Sequence, residues 1–276
     1  MDKNIKRVLF AVISLFATVN LAQAEEVEPD KFRFAIGGYA IARYDSTISV
    51  TDPGLGAGIS IDPQNTFGLD FEGTVLRIEG YYRFRPKHAL TYSWYSINST
   101  GSKIIDEEIG WDGPDGEIII PIGAQVISNF DYDIFKVGYL WSFYHTDKVE
   151  LGVGAGLHIT RLRLGLDASV TNPPNQSLQN VNTTVPLPVV SLVLNYSVTP
   201  KFHWYLKTEA FVVKFDNWTG SYRDATLGME YRAWRHVALG AGLSSNSLEI
   251  EEDDPNYQLR FDNTISGALL YVATYF

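Results

Sequence analysis

Cysteine is absent from this 276-residue chain. That excludes disulfide stapling, thiol chemistry and cysteine-based zinc sites. Methionine is scarce, at 2 residues, and basic residues are outnumbered, 22 Lys and Arg against 32 Asp and Glu, for a formal charge of -10. Nucleic-acid binding calls for a basic surface, so nucleic acid is set aside as a partner. Past the first residues no stretch holds about 18 uninterrupted apolar residues, which excludes helical membrane spans.

The N-terminus has the layout of an export signal. Lys3, Lys6 and Arg7 precede a mostly apolar run from Val8 to Leu21, and Ala22-Gln23-Ala24 has the form of a cleavage site. The run is shorter than the roughly 20 residues a membrane helix needs, and Glu25, Glu26 and Glu28 follow at once. Residues 1–24 are expected to be removed, leaving 25–276 as a single domain. Three basic residues and one acidic residue leave with them, so the formal charge of -10 becomes -12.

Aromatics are plentiful: 16 Tyr, 15 Phe and 6 Trp. That number suits the interfacial girdles of a membrane barrel, and equally the core of a soluble sandwich. The arrangement is more telling. From Gly73 to Phe84, Leu76, Ile78, Gly80, Tyr82 and Phe84 alternate with Arg77, Glu79, Tyr81 and Arg83. Period-2 alternation marks strands with two unlike faces, and it recurs along Phe32–Tyr44, Ile134–Tyr144, Val149–Thr160, Val190–Tyr196, Trp204–Val212, Ala225–Arg232 and Leu239–Ser244. Short connections at Arg85–His88, His145–Lys148, Thr199–Phe202 and Arg235-His236 intervene between longer polar stretches at Thr51–Asn65, Ser99–Gly116, Thr171–Thr183, Asp216–Ser221 and Glu249–Asn256. Short turns on one side and long loops on the other are the asymmetry of an outer-membrane barrel. The expectation is an all-β, closed antiparallel transmembrane barrel of about ten strands, or eight if the two most ambiguous segments are loops.

The final stretch, Gln258 to Phe276, alternates similarly and ends on Tyr275-Phe276. It resembles the C-terminal strand of small Gram-negative outer-membrane β-barrels, the broad group that includes OmpX-like and OmpW-like proteins. The resemblance implies a bacterial outer-membrane location, contact with outer-membrane lipids and lipopolysaccharide, and a terminal Phe276 read by the barrel assembly machinery. It carries over no catalytic or binding residue.

Parity places Arg33, Arg43, Arg77, Arg83, Lys136, Lys207 and Arg232 on the inward face, with Glu79, Glu150, Glu209 and Glu230. Facing lipid near the bilayer centre, each Arg or Lys would cost about 2–4 kcal/mol, so the lumen is where they are expected, as an ion-pair network that plugs a narrow barrel. His158 is the histidine expected inside the wall; a catalytic role would need a nucleophile or carboxylate set on it by another strand. The alternating glycines Gly152, Gly154, Gly156, Gly240 and Gly242 lack the strand–turn–helix context of a phosphate loop and are expected to leave room for long side chains opposite. No cofactor and no metal are expected. The acidic runs Asp106–Glu108 and Glu249–Asp254 are expected to be solvated loop charge, with weak cation binding as the alternative. Arg161 and Arg163 are candidates for lipopolysaccharide phosphates. The leading function is a structural or interaction barrel. Its rivals are a narrow diffusion channel for small solutes and an enzyme acting at the barrel rim.

Overall fold

The computed structural model describes residues 30–52, 57–71, 73–106, 108–113, 116–169, 176–253 and 258–276. The export signal and the tips of several outer connections lie outside the described residues. Ten antiparallel strands form the wall: β1 (Phe32–Asp52), β3 (Gly73–Arg85), β4 (His88–Ile104), β7 (Gln125–His145), β8 (Val149–Ser169), β9 (Gln176–Thr199), β10 (Phe202–Phe215), β11 (Trp218–Trp234), β12 (Val237–Asp253) and β13 (Gln258–Tyr275). Each pairs with its neighbour, and β13 pairs with β1 from Arg33↔Tyr275 to Thr51↔Gln258, so the sheet is closed. Three short strands lie apart from the wall series. β2 (Ala57–Ile61) folds back on the outer end of β1, and β5 (Ile109–Gly113) pairs with β6 (Gly116–Ile120). The short turns share one end with Phe32 and Phe276, the periplasmic end of such a barrel.

Strand β7 shows how the sequence builds this wall in two storeys. From Phe135 to Phe143 the exposed residues are Phe135, Val137, Tyr139, Trp141 and Phe143. These nine positions match the roughly 9–11 residues a tilted strand needs to cross the bilayer. Further out the apolar residues change sides: Val126, Phe130, Tyr132 and Ile134 are buried inside, while Asn129, Asp131 and Asp133 face out. Beyond the membrane the outer face meets water, so the interior is where apolar surface can be hidden. The consecutive pair Ile134-Phe135 marks the switch. On β8 the outward series up to Ile159 likewise gives way to exposed Arg161 and Arg163, with Leu162 and Leu164 turned inward.

This second storey moves the bounds of the outer connections, of which those between β1 and β3 and between β4 and β7 stay long. Ser99–Ile104 belongs to β4, Asp216–Ser221 is a hairpin turning at Asp216-Asn217, and Glu249–Asp253 continues β12. The strands keep pairing well above the lipid, as Glu251↔Arg260 and Glu249↔Asp262 show.

The outer half of the barrel is filled by its own chain. Asp62 caps helix α1 (Pro63–Phe67), accepting from the backbone N–H groups of Gln64 (2.9 Å) and Asn65 (3.3 Å), and Gly68 ends it at φ 69°. The cap turns the chain inward. Phe67, Leu69 and Phe71 are then buried with Tyr39, Ile41, Tyr44, Tyr95, Ile97 and Phe130. The Phe71 ring stacks on Tyr44 at 3.8 Å and meets Phe130 edge-on at 5.0 Å. Inward serines anchor the segment: Ser128 donates to the Phe67 carbonyl (2.9 Å) and Ser99 to the Asp70 carbonyl (2.5 Å). A plug made only of charged side chains is therefore corrected. The outer seal is apolar, contributed in part by residues within and just beyond the stretch expected to be an open polar loop.

Candidate functional site: the lumen chamber

Beneath the seal the inward positions of the strands carry charge, and the barrel brings most of the expected residues together. Glu79 on β3 receives three cations: Arg33 from β1 at 3.3 Å, Arg77 from its own strand at 3.2 Å and Lys207 from β10 at 3.2 Å. Arg33 also pairs with Glu230 on β11, which accepts from Tyr275 and lies 2.9 Å from the Tyr271 hydroxyl. A second group joins Lys136 of β7 to Glu209 of β10 (2.8 Å) and Asp224 of β11 (2.7 Å), with His158 Nε2 of β8 2.9 Å from Glu209. A third sits at the periplasmic mouth, where Glu150 accepts from Arg83 (2.7 Å), Ser142 (2.5 Å) and Asn195 (2.9 Å). Arg232 lies nearer the mouth still, paired with Asp30 (2.5 Å) and set over the Tyr275 ring at 4.3 Å. Links between strands that are far apart in the wall tie its opposite sides together.

Arg43 is a correction. A β-bulge between Ile41 and Arg43 inserts one residue in β1 and reverses its parity. Arg43 therefore faces outward, 69% exposed, in a pair with Asp45. Asp224, by contrast, belongs to the network although it was not among the expected residues; counting back by twos from Glu230 reaches it. Tyr81 lies on the inward face with its charged neighbours, as the alternation implies, whereas Tyr205, Tyr271 and Tyr275 are further lumen residues not among those expected. Several have glycine seats: a Cβ on Gly228 would lie 2.3 Å from the Tyr205 ring, and one on Gly240 2.2 Å from Tyr271. Glycine there admits a large side chain opposite. His158 packs edge-on against Tyr222 at 4.7 Å, on the inner side of the wall. Among the described residues no group of His, Asp and Glu could hold a metal ion. Phe276 completes the ring closure, exchanging backbone hydrogen bonds with Phe32 (2.8 and 3.0 Å) and stacking on His236 at 5.5 Å.

The network does not fill the space. A cavity of about 410 Å³ lies between it and a wall of small residues, Gly138 and Gly156 with Ser191 and Val193, and it runs to the periplasmic turn at Thr146–Val149. Its lining carries as many Lys and Arg as Asp and Glu side chains, seven of each. The arrangement is a polar chamber at the periplasmic end, under an apolar seal.

No protein-family model matches the sequence, and no curated protein matches it significantly. Solved structures do. The outer membrane protease OmpT of Escherichia coli aligns with a TM-score of 0.54 at 10% identity, over 92% of this chain and 99% of that one. Looser matches include OprG of Pseudomonas aeruginosa (0.37, 10% identity, 90% and 97% covered) and the toluene transporter TodX of Pseudomonas putida (0.35, 11% identity, 90% and 91%). At such identities the likeness is one of fold, and the chain is a ten-stranded barrel of the bacterial outer-membrane kind.

Proposed function

We propose that the protein is a non-conducting outer-membrane barrel with a structural or interaction role. The apolar seal of the outer half is the observation that carries this. An ion crossing it would have to pass among Ile97, Phe71 and Phe130, buried apolar side chains that cannot replace its hydration. About eight strands give a barrel that side chains just fill, while 16–18 leave an aqueous channel; ten strands stand near the filled end. The exposed arginines above the apolar band, Arg161 and Arg163, fit contact with lipopolysaccharide phosphates. In planar bilayers the purified protein is expected to give no steady conductance. Large, stable, ion-selective currents from the unmodified protein would overturn the closed barrel and favour a diffusion channel.

Assembly is expected to depend on the seam. Deleting Phe276 removes both backbone bonds to Phe32 and should lower the outer-membrane yield more than Phe261→Ala, near the outer end of the same strand. Equal yields of the two variants in fractionated outer membranes would remove the special role of the terminal residue.

A further inference from the structure

Two charges of the inner network differ from the rest. The side chains of Arg33, Arg77, Glu79, Lys136, Asp224 and Glu230 are all under 10% exposed, whereas Lys207 is 38% and Glu209 25% exposed. Both line the chamber. They stand two residues apart on β10, both on its inward side, about 6.6 Å along the strand.

Each also has bonding capacity in reserve. Among the described residues the Lys207 ammonium has one ion-pair partner, Glu79, besides the Tyr205 ring at 5.2 Å, and that carboxylate keeps Arg33 and Arg77 if Lys207 turns away. An ammonium carries three donors. Among the described residues both ion-pair contacts of Glu209, from Lys136 and from His158, fall on Oε2, which leaves Oε1 as an acceptor on the chamber side. The chamber thus offers a solute one cation and one anion side by side. With its fixed charges balanced seven to seven, a solute of net charge would leave that charge uncompensated, whereas a zwitterion preserves the balance. The volume of about 410 Å³ falls in the range of small-molecule sites, about 300–1,000 Å³.

We propose that the chamber binds a dipeptide-sized zwitterion from the periplasmic side, its carboxylate on Lys207 and its ammonium on Glu209. Two residues of extended chain span about 7 Å, the spacing of the two side chains along β10. The adjoining wall, where Val193 and Ser191 of β9 pair with Lys207 and Glu209 and Gly156 and Gly138 follow on β8 and β7, leaves room for small side chains.

The test is calorimetric titration of the full-length, detergent-solubilised protein with alanyl-alanine, its N-acetyl form and its C-terminal amide. The expected result is saturable binding of the free dipeptide and at least tenfold weaker binding of both blocked forms. Lys207→Met should weaken the free dipeptide at least tenfold and abolish its advantage over the amide. Glu209→Gln should do the same for the acetyl form. Should Glu209→Gln fail to fold because Lys136 loses a partner, the blocked dipeptides still test the ammonium contact on the unmodified protein. No binding at millimolar dipeptide, or equal binding of all three compounds, would overturn the proposal. It goes beyond the closed-barrel reading: conductance would defeat that reading and leave these titrations standing.

Discussion

Below the level of Arg77 the barrel interior is held by ion pairs, and above it by rings. The lower storey joins β1, β3, β7, β10 and β11 through Glu79, Glu230 and the Lys136 group. The upper storey packs Tyr44, Phe71, Phe130 and Ile97 with the chain that follows α1. The same strands supply both, so the cause lies in what surrounds the wall. Where lipid covers the outside, apolar residues face out and the polar ones are turned inward. Where water covers the outside, hiding apolar surface requires the inside. The lower storey is therefore cross-braced and leaves a chamber, and the upper storey is dense and closes the barrel.

The sharpest difference should appear on truncation of Glu230. Its loss leaves Arg33, 6% exposed, with Glu79 as its remaining carboxylate and takes an acceptor from Tyr271 and Tyr275. Removing one partner of a buried pair costs about 3–5 kcal/mol. Glu230→Ala should lower the urea midpoint of the folded barrel accordingly, and Glu230→Gln, which keeps the side chain's volume and one acceptor oxygen, should lower it less. Equal and small shifts for both would mean that the brace contributes little.

Phe71 probes the upper storey. Phe71→Ala empties a site between Tyr44 and Phe130, for about 3 kcal/mol, the low end for burying and then losing a phenyl ring. Its distinguishing outcome is electrical. If the apolar seal closes the barrel, this variant should show brief conductance events that Glu230→Ala lacks. Silence from Phe71→Ala and current from Glu230→Ala would locate the closure in the ion-pair storey instead.

Much of the lower storey was legible in the sequence because lipid outside enforces a strict period of two. Arg33, Arg77, Glu79, Arg83, Lys136, His158, Lys207, Glu209 and Glu230 all follow from it, and Asp224 would have followed had the count continued. The bounds and the filling of the upper storey were not legible, for the same reason reversed. Past Ile134-Phe135 on β7 the alternation changes phase, and two-faced polar and apolar strands such as Ser99–Ile104 then look like loop. The fold-back of Phe67–Phe71 depends on the Asp62 cap and on Ser99 and Ser128 across the lumen, contacts between residues far apart in sequence. The chamber is a property of volumes, set by where glycine and serine oppose the long side chains, and no local pattern encodes it.

Arg33 and Arg43 make the finest comparison, ten residues apart on one strand. Ten is even, so an unbroken β1 would turn both inward, and Arg43 would share the lumen. The bulge after Ile41 adds a residue and turns Arg43 outward to Asp45. An exposed pair of this kind contributes about 0–1 kcal/mol, because water solvates either charge when the other is gone. Arg43→Ala should leave the urea midpoint almost unchanged, and the pair's small contribution should fade further at high salt. Arg33→Ala, which leaves Glu230 buried without its cation, should resemble Glu230→Ala in size. A large loss from Arg43→Ala would mean that the bulge is absent and that the strand keeps its parity to the rim.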